Sequence, residues 1–262
     1  MSFKFSSNLS FMFFETSNIL ERYQLAKNAG FKAVESGFPL GYSIDEVVKA
    51  KEAANIDHIL INVFTGDVKN GELGFAAQPG KEREFKSSIE TTINYAKRLN
   101  CKMIHVMSGK VESATPDHDK IYESNLLYAT KKFEENGIVG VIEPINNITV
   151  PNYYMSSFQK GLDIVKRINS NNLKLLVDIF HLQHISGNIT HNLNEFFPYI
   201  GHIQIAQVPS RHEPDTDGEI NYRYVFSLLS KAGYNGYIGL EYVPAKCSVE
   251  GLKWIQQFGY KL

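Results

Sequence analysis

Four side chains ending in oxygen donors sit where this sequence can do chemistry. Glu143 follows the apolar run Val139-Gly140-Val141-Ile142, and Asp178 follows Leu175-Leu176-Val177. Gln204 lies in His202-Ile203-Gln204-Ile205, and Glu241 follows Ile238-Gly239-Leu240. Short apolar runs of this kind are strand-like, so each of the four stands at or near a strand end. A carboxylate left dry and unpaired there is costly, so three of them converging demand either a cation or protonation. Taken singly, each acidic residue also fits a helix cap or a salt-bridge partner. Four in register point instead to a shared ligand set. Carboxylates plus an amide suit a hard divalent ion such as Mg²⁺ or Mn²⁺, whereas zinc sites draw on His or Cys.

The rest of the sequence predicts what positions these residues. Strand candidates are Phe5–Leu9, Ala33–Glu35, His58–Asn62, Met103–Val106, Val139–Ile142, Lys174–Asp178, His202–Ile205 and Tyr237–Leu240. Helix-like stretches alternate with them: Asn18–Asn28, Asp45–Ala54, Glu82–Leu99, Ile121–Glu135, Ser157–Asn169, Leu193–Phe197, Tyr222–Ala232 and Val249–Phe258. Asn28-Ala29-Gly30, Asn136-Gly137 and Ala232-Gly233 supply residues tolerant of positive φ just before the next strand. Alternation of this kind predicts an α/β fold, a single (β/α)₈ TIM barrel, whose chemistry belongs at the C-terminal ends of its strands. A doubly wound nucleotide fold would carry a Gly-rich loop after the first strand, where this chain has Ser10-Phe11-Met12-Phe13-Phe14. The longest connection, Gly66–Gly80, holds four glycines and Pro79 and reads as a lid over the barrel mouth.

Composition narrows the setting. The 262 residues are 43% hydrophobic and 21% charged with a formal net charge of -1, which fits one globular domain over 1–262. No Lys/Arg block offers a footprint for nucleic acid, and no apolar run approaches the roughly 18 residues that span a bilayer. The expected setting is the cytoplasm, with no membrane or nucleic-acid partner. Cys101 and Cys247 show no CxxC spacing and read as packed small side chains.

Several stretches together resemble the hydroxypyruvate isomerase family of xylose isomerase-like barrels. They are Phe5–Ser10, Ile142-Glu143-Pro144-Ile145-Asn146, Asp178-Ile179-Phe180-His181-Leu182-Gln183, Gly201–Ala206, Glu219-Ile220-Asn221-Tyr222 and Gly239-Leu240-Glu241-Tyr242. The resemblance implies a metal held by Glu143, Asp178, Gln204 and Glu241, with Glu143 and Glu241 also moving a proton. It implies interconversion of hydroxypyruvate and tartronate semialdehyde (2-hydroxy-3-oxopropanoate) through an enediolate. Which glutamate is base and which acid stays open, and one glutamate shuttling the proton alone is an alternative. His181 is implied to touch substrate oxygens. Arg211 offers a bidentate fork for the carboxylate of a small hydroxy-carbonyl acid. His105 and Lys110 are expected near the mouth without a catalytic part. Some bacterial members carry His-Asn where this chain has Ile61-Asn62, which removes one polar contact expected to reach substrate. A ketose 3-epimerase would use the same glutamates, commonly with histidine in place of Gln204, and a non-catalytic sugar-acid binder would be expected to have lost a ligand. An endonuclease of this fold would add histidine ligands and a basic groove. Barrels of this family often associate, so a homo-oligomer is compatible with the aromatic and aliphatic helix exterior.

Overall fold

A computed structural model describes residues 2–262 of the chain. Strand and helix alternate from end to end: β1 (Lys4–Asn8), α1 (Ile19–Asn28), β2 (Ala33–Ser36), α2 (Ile44–Ala54), β3 (Asp57–Asn62), α3 (Glu82–Leu99), β4 (Met103–His105), α4 (Pro116–Asn136) and β5 (Val139–Ile142). The second half continues with α5 (Phe158–Ile168), β6 (Leu173–Asp178), α6 (Ile179–Ile185), α7 (Ile189–Phe196), β7 (Ile200–Ile205), α8 (Tyr222–Ala232), β8 (Tyr237–Leu240) and α9 (Lys253–Gln257). The strands form one closed parallel barrel in sequence order, β1 pairing with β8 through Lys4↔Tyr237 to Ser7↔Leu240. No helix of the described residues is long and apolar enough to cross a membrane.

Strand alternation sorts the side chains into two populations. Ile61, Ile104, Ile142, Leu175, Val177, Ile203, Ile205, Ile238 and Leu240 join the large apolar core shared with the helices. Leu60, Val141 and Leu176 form a separate small cluster, with Met103 against it, inside the barrel. Two residues further along the same strand faces come the polar positions: His105 after Met103, Glu143 after Val141 and Asp178 after Leu176. The barrel interior is therefore an apolar floor beneath a polar mouth.

Two expectations are corrected. Ile61 lies on the outward face of β3 within the helix-packed core, so the residue type at that position does not shape the mouth; Asn62, one residue on, faces it. The segment 66–80 is no free lid. Phe75, Ala76 and Ala77 are buried, Ala77 N–H donates to the Ser108 carbonyl at 2.9 Å, and Asn125 Nδ2 donates to the Ala76 carbonyl at 2.9 Å. Only the turn around Val68–Asn70 stands out, bordering an open groove of about 1160 Å³ whose lining includes none of Glu143, Asp178, Gln204 and Glu241. The stretch expected as one helix at Leu193–Phe197 is preceded by a second short helix, α6, which starts directly from Asp178. The predicted turns hold: Gly30, Gly137 and Gly233 take φ of 104°, 63° and 79° at helix ends.

Candidate active site

Each acidic residue is placed by the strand it closes and is then held by a different local device. Asp178 is the last residue of β6 and also the N-cap of α6, its Oδ1 accepting from Phe180 N–H at 2.9 Å. One oxygen is spent on the helix, which leaves Oδ2 facing the mouth. Glu143 leaves β5 almost fully buried, with His105 Nδ1 3.6 Å from Oε2 and His181 Nε2 3.8 Å from Oε1. One ligand atom from each of Glu143, Asp178 and His181 falls within 4.8 Å of the others. Gln204 pairs with Asp178 across the β6–β7 ladder and with Gly239 across β7–β8.

Arg211 brings in Glu241. Its Nη2 lies 3.3 Å from Asp178 Oδ2 and 3.3 Å from Glu241 Oε2, while Nε donates to the Glu241 carbonyl at 3.2 Å. The guanidinium is sandwiched between the Phe11 and Phe180 rings, 4.4 and 4.7 Å from their centroids. Its backbone is left-handed, φ 54°, an unusual state for a non-glycine residue. The loop after β7 enforces it: buried Gln207 donates to the carbonyls of Pro214, Thr216 and Ile220 and accepts from Val208 N–H and Ile220 N–H. Phe11 thereby walls the site.

Burial dominates the electrostatics. It pushes the Glu143 carboxyl well above its ordinary value, and the neighbouring Glu241 and Asp178 charges push the same way. Asp178 is raised to about 6 by burial against the opposing pull of Arg211, and Glu241 to about 8 for the same reasons with Asp178 adding to the rise. One guanidinium does not compensate three clustered carboxylates. Glu143 Oε1, Gln204 Oε1 and Glu241 Oε2 are buried with no aligned hydrogen-bond donor among the described residues. Glu143 Oε1 and Gln204 Oε1 have no donor, Glu241 Oε2 has only the poorly aligned Arg211 contact, and acceptor oxygens gathered in this way suit a hard cation.

His181 differs in kind. Its Nδ1 accepts from the Asn146 backbone N–H at 3.2 Å and faces Asn146 Nδ2 at 2.6 Å. A backbone N–H only donates, so Nδ1 carries the lone pair and Nε2 the proton. Burial, with Arg211 next, holds the imidazole neutral, well below its usual range. It presents an N–H donor to the space between Glu143 and Asp178. His105 is also neutral, pushed down to about 3 by burial. Lys110 lies in the loop after β4, paired through its backbone with Tyr153.

The sequence reading missed Glu35, the penultimate residue of β2, fully buried beside Gln204. Its signals were a charged residue closing a strand candidate and the polar Ser6 and Asn8 inside the family-like stretch Phe5–Ser10. The Glu219–Tyr222 stretch proves structural: Asn221 caps α8, and Tyr222 O–H donates to the Ala206 carbonyl at 2.6 Å.

A family model described as "Xylose isomerase-like TIM barrel" matches residues 23–258. A hydroxypyruvate isomerase of Escherichia coli strain K12 is 36% identical, covering 97% of this chain and 99% of its own. This chain belongs to the hydroxypyruvate isomerase family of xylose isomerase-like barrels. It is an isomerase. A Drosophila melanogaster relative, provisionally named a hydroxypyruvate isomerase, is 41% identical over the whole of both chains. A Haemophilus influenzae relative named 2-oxo-tetronate isomerase is 36% identical over 97% of this chain and 99% of its own. Among solved structures, one named AP endonuclease, family 2, from Brucella melitensis superposes with a TM-score of 0.93 at 36% identity, covering 98% of this chain and 99% of that one. A hydroxypyruvate isomerase family member thus shares its backbone with proteins bearing several functional names.

Proposed function

We propose that this protein, acting as one barrel domain over 1–262, interconverts hydroxypyruvate and 2-hydroxy-3-oxopropanoate with the help of a divalent cation, Mg²⁺ or Mn²⁺. The observation that carries the reading is the convergence of the buried Glu143, Asp178 and Glu241 carboxyls on a single guanidinium, with Glu143 Oε1 and Gln204 Oε1 left without a hydrogen-bond donor among the described residues. All four are hard oxygen donors, which fit such an ion. His181 is not counted with them, because its Nε2 carries a proton. Held there, the ion supplies a Lewis acid that polarises the substrate carbonyl.

The protein's own groups do the rest. Glu143 and Glu241 are the two carboxylates not committed to a helix cap, and one of them removes a hydrogen from C3 of hydroxypyruvate as a proton. The enediolate that results takes a proton back at C2, while the hydroxyl proton passes from the C3 oxygen to the C2 oxygen, so the isomerisation involves no net oxidation. His181 Nε2–H donates to a substrate oxygen on which negative charge grows. Arg211 keeps Nη1 free of hydrogen bonds among the described residues and turns it to the substrate carboxylate. Burial of the whole cluster excludes water, which protects the enediolate from stray protonation.

Support for this substrate class comes from the names of the relatives with near-complete coverage, and the Haemophilus relative's name makes a four-carbon 2-oxo acid the natural comparison substrate. The test is conversion of each compound by EDTA-stripped protein, with and without added Mn²⁺ or Mg²⁺, beside Glu241→Gln. Turnover of hydroxypyruvate restored by metal in the parent protein, and reduced about 10²- to 10⁴-fold in the variant, is expected. Metal-restored turnover of the four-carbon acid alone would move the substrate assignment to it.

A further inference from the structure

Glu35 is a buried carboxylate that the mechanism above does not use, and all of its accepting capacity is committed. Oε2 accepts from Ser6 O–H at 2.8 Å and from His202 Nε2 at 2.8 Å; Oε1 accepts from Asn8 Nδ2 at 3.2 Å and from Gln204 Nε2 at 2.7 Å. A carboxyl group whose two oxygens each face two donors accepts and has no hydrogen to give. The Gln204 amide facing it must therefore present its NH₂, which turns Oε1 to the opposite side. That oxygen is the one left buried without a donor. The space for the arrangement is cut into the neighbouring strand, because a Cβ at Gly239 would fall on both Glu35 oxygens.

We infer that Glu35 is a positioning residue whose carboxylate locks the Gln204 amide so that its carbonyl oxygen, and not its NH₂, is offered to the divalent cation. The inference rests on the metal reading of the site and adds a device to it. Without a fixed acceptor behind it, an amide meets a cation with its oxygen in only one of two rotamers of similar shape. Ser6, Asn8 and His202 in turn hold Glu35, so the ligand orientation on β7 is set by side chains from β1 and β2 across the barrel.

The test is calorimetric titration of Mn²⁺ into metal-free protein, with folding checked by circular dichroism. The parent, Glu35→Gln, Glu35→Asp, Gln204→Leu and the double variant Glu35→Gln/Gln204→Leu are compared. Glu35→Gln and Glu35→Asp are expected to weaken Mn²⁺ binding about 10- to 100-fold while the fold is kept. In the Gln204→Leu background the Glu35→Gln change is expected to cost nothing further, because it acts through the amide that is no longer there. Unchanged affinity in the folded Glu35 variants, or the same loss with and without the amide, overturns the inference. Absence of Mn²⁺ binding by the parent protein would instead sink the metal reading on which it rests.

Discussion

At the scale of single residues, the site is defined by which polar atoms have partners and which do not. Asp178 Oδ1 and all of Glu35 are satisfied within the protein, whereas Glu143 Oε1, Gln204 Oε1 and Glu241 Oε2 lack an aligned donor. Sequence alone picked out Glu143, Asp178 and Glu241 because each closes an apolar run, and Gln204 because it lies near the end of another. It did not separate ligand from support, since a glutamate near the end of β2 and a glutamate just after β5 look alike until hydrogen-bond partners are known. The same atoms give a pH dependence. Asp178 and Glu241 have folded values raised to about 6 and about 8 from ordinary values of 3.8 and 4.5. A raised carboxyl binds more protons in the folded than in the unfolded chain, so its contribution is full below the ordinary value and lost as pH rises through the folded value. Metal-free protein should accordingly lose thermal stability between about pH 5 and pH 8, and Mn²⁺ should restore more of it at pH 8 than at pH 5. Thermal melts at the two pH values, with and without the ion, check this; metal-free protein growing more stable across that window would contradict it.

At the scale of elements, the strand pattern was legible because short apolar and β-branched runs recur between amphipathic stretches, and all eight strand candidates overlap observed strands. The helical connections were legible where a cap or glycine ended them. The break between α6 and α7 was not, because Ile179-Phe180-His181-Leu182 continues the apolar run of β6, and the chain turns only at Gly187 and Asn188, with φ of 56° and 43°. The supposed lid misled for a related reason: its glycines suggested mobility, but two of them, Gly66 and Gly74, serve close approach. Gly74 takes φ 98° with its α-carbon against the Met107 carbonyl, and Gly109 packs on Gly74 in turn. A methyl at Gly74 meets that carbonyl as well as an unfavourable backbone state, so Gly74→Ala should cost more than about 1 kcal/mol. Urea unfolding measures it, and a variant as stable as the parent would show that this connection is loose after all.

At the scale of the whole molecule, barrel closure is what makes the site. Ser6, Asn8 and Glu35 come from the first two strands, Gln204 and Glu241 from the last two, and the β1–β8 ladder brings them together. The relatives fit that picture, since near-complete coverage means that the entire barrel is shared. The central claim is that one divalent ion at this mouth governs the isomerisation, and the most direct measurement is rate against occupancy. Metal-free protein is loaded with graded amounts of Mn²⁺, bound metal is counted by mass spectrometry, and hydroxypyruvate conversion is followed on the same samples. The rate should rise in proportion to bound metal and level off at a single ion per chain. Full turnover by the metal-free protein, or a rate indifferent to occupancy, would contradict the claim.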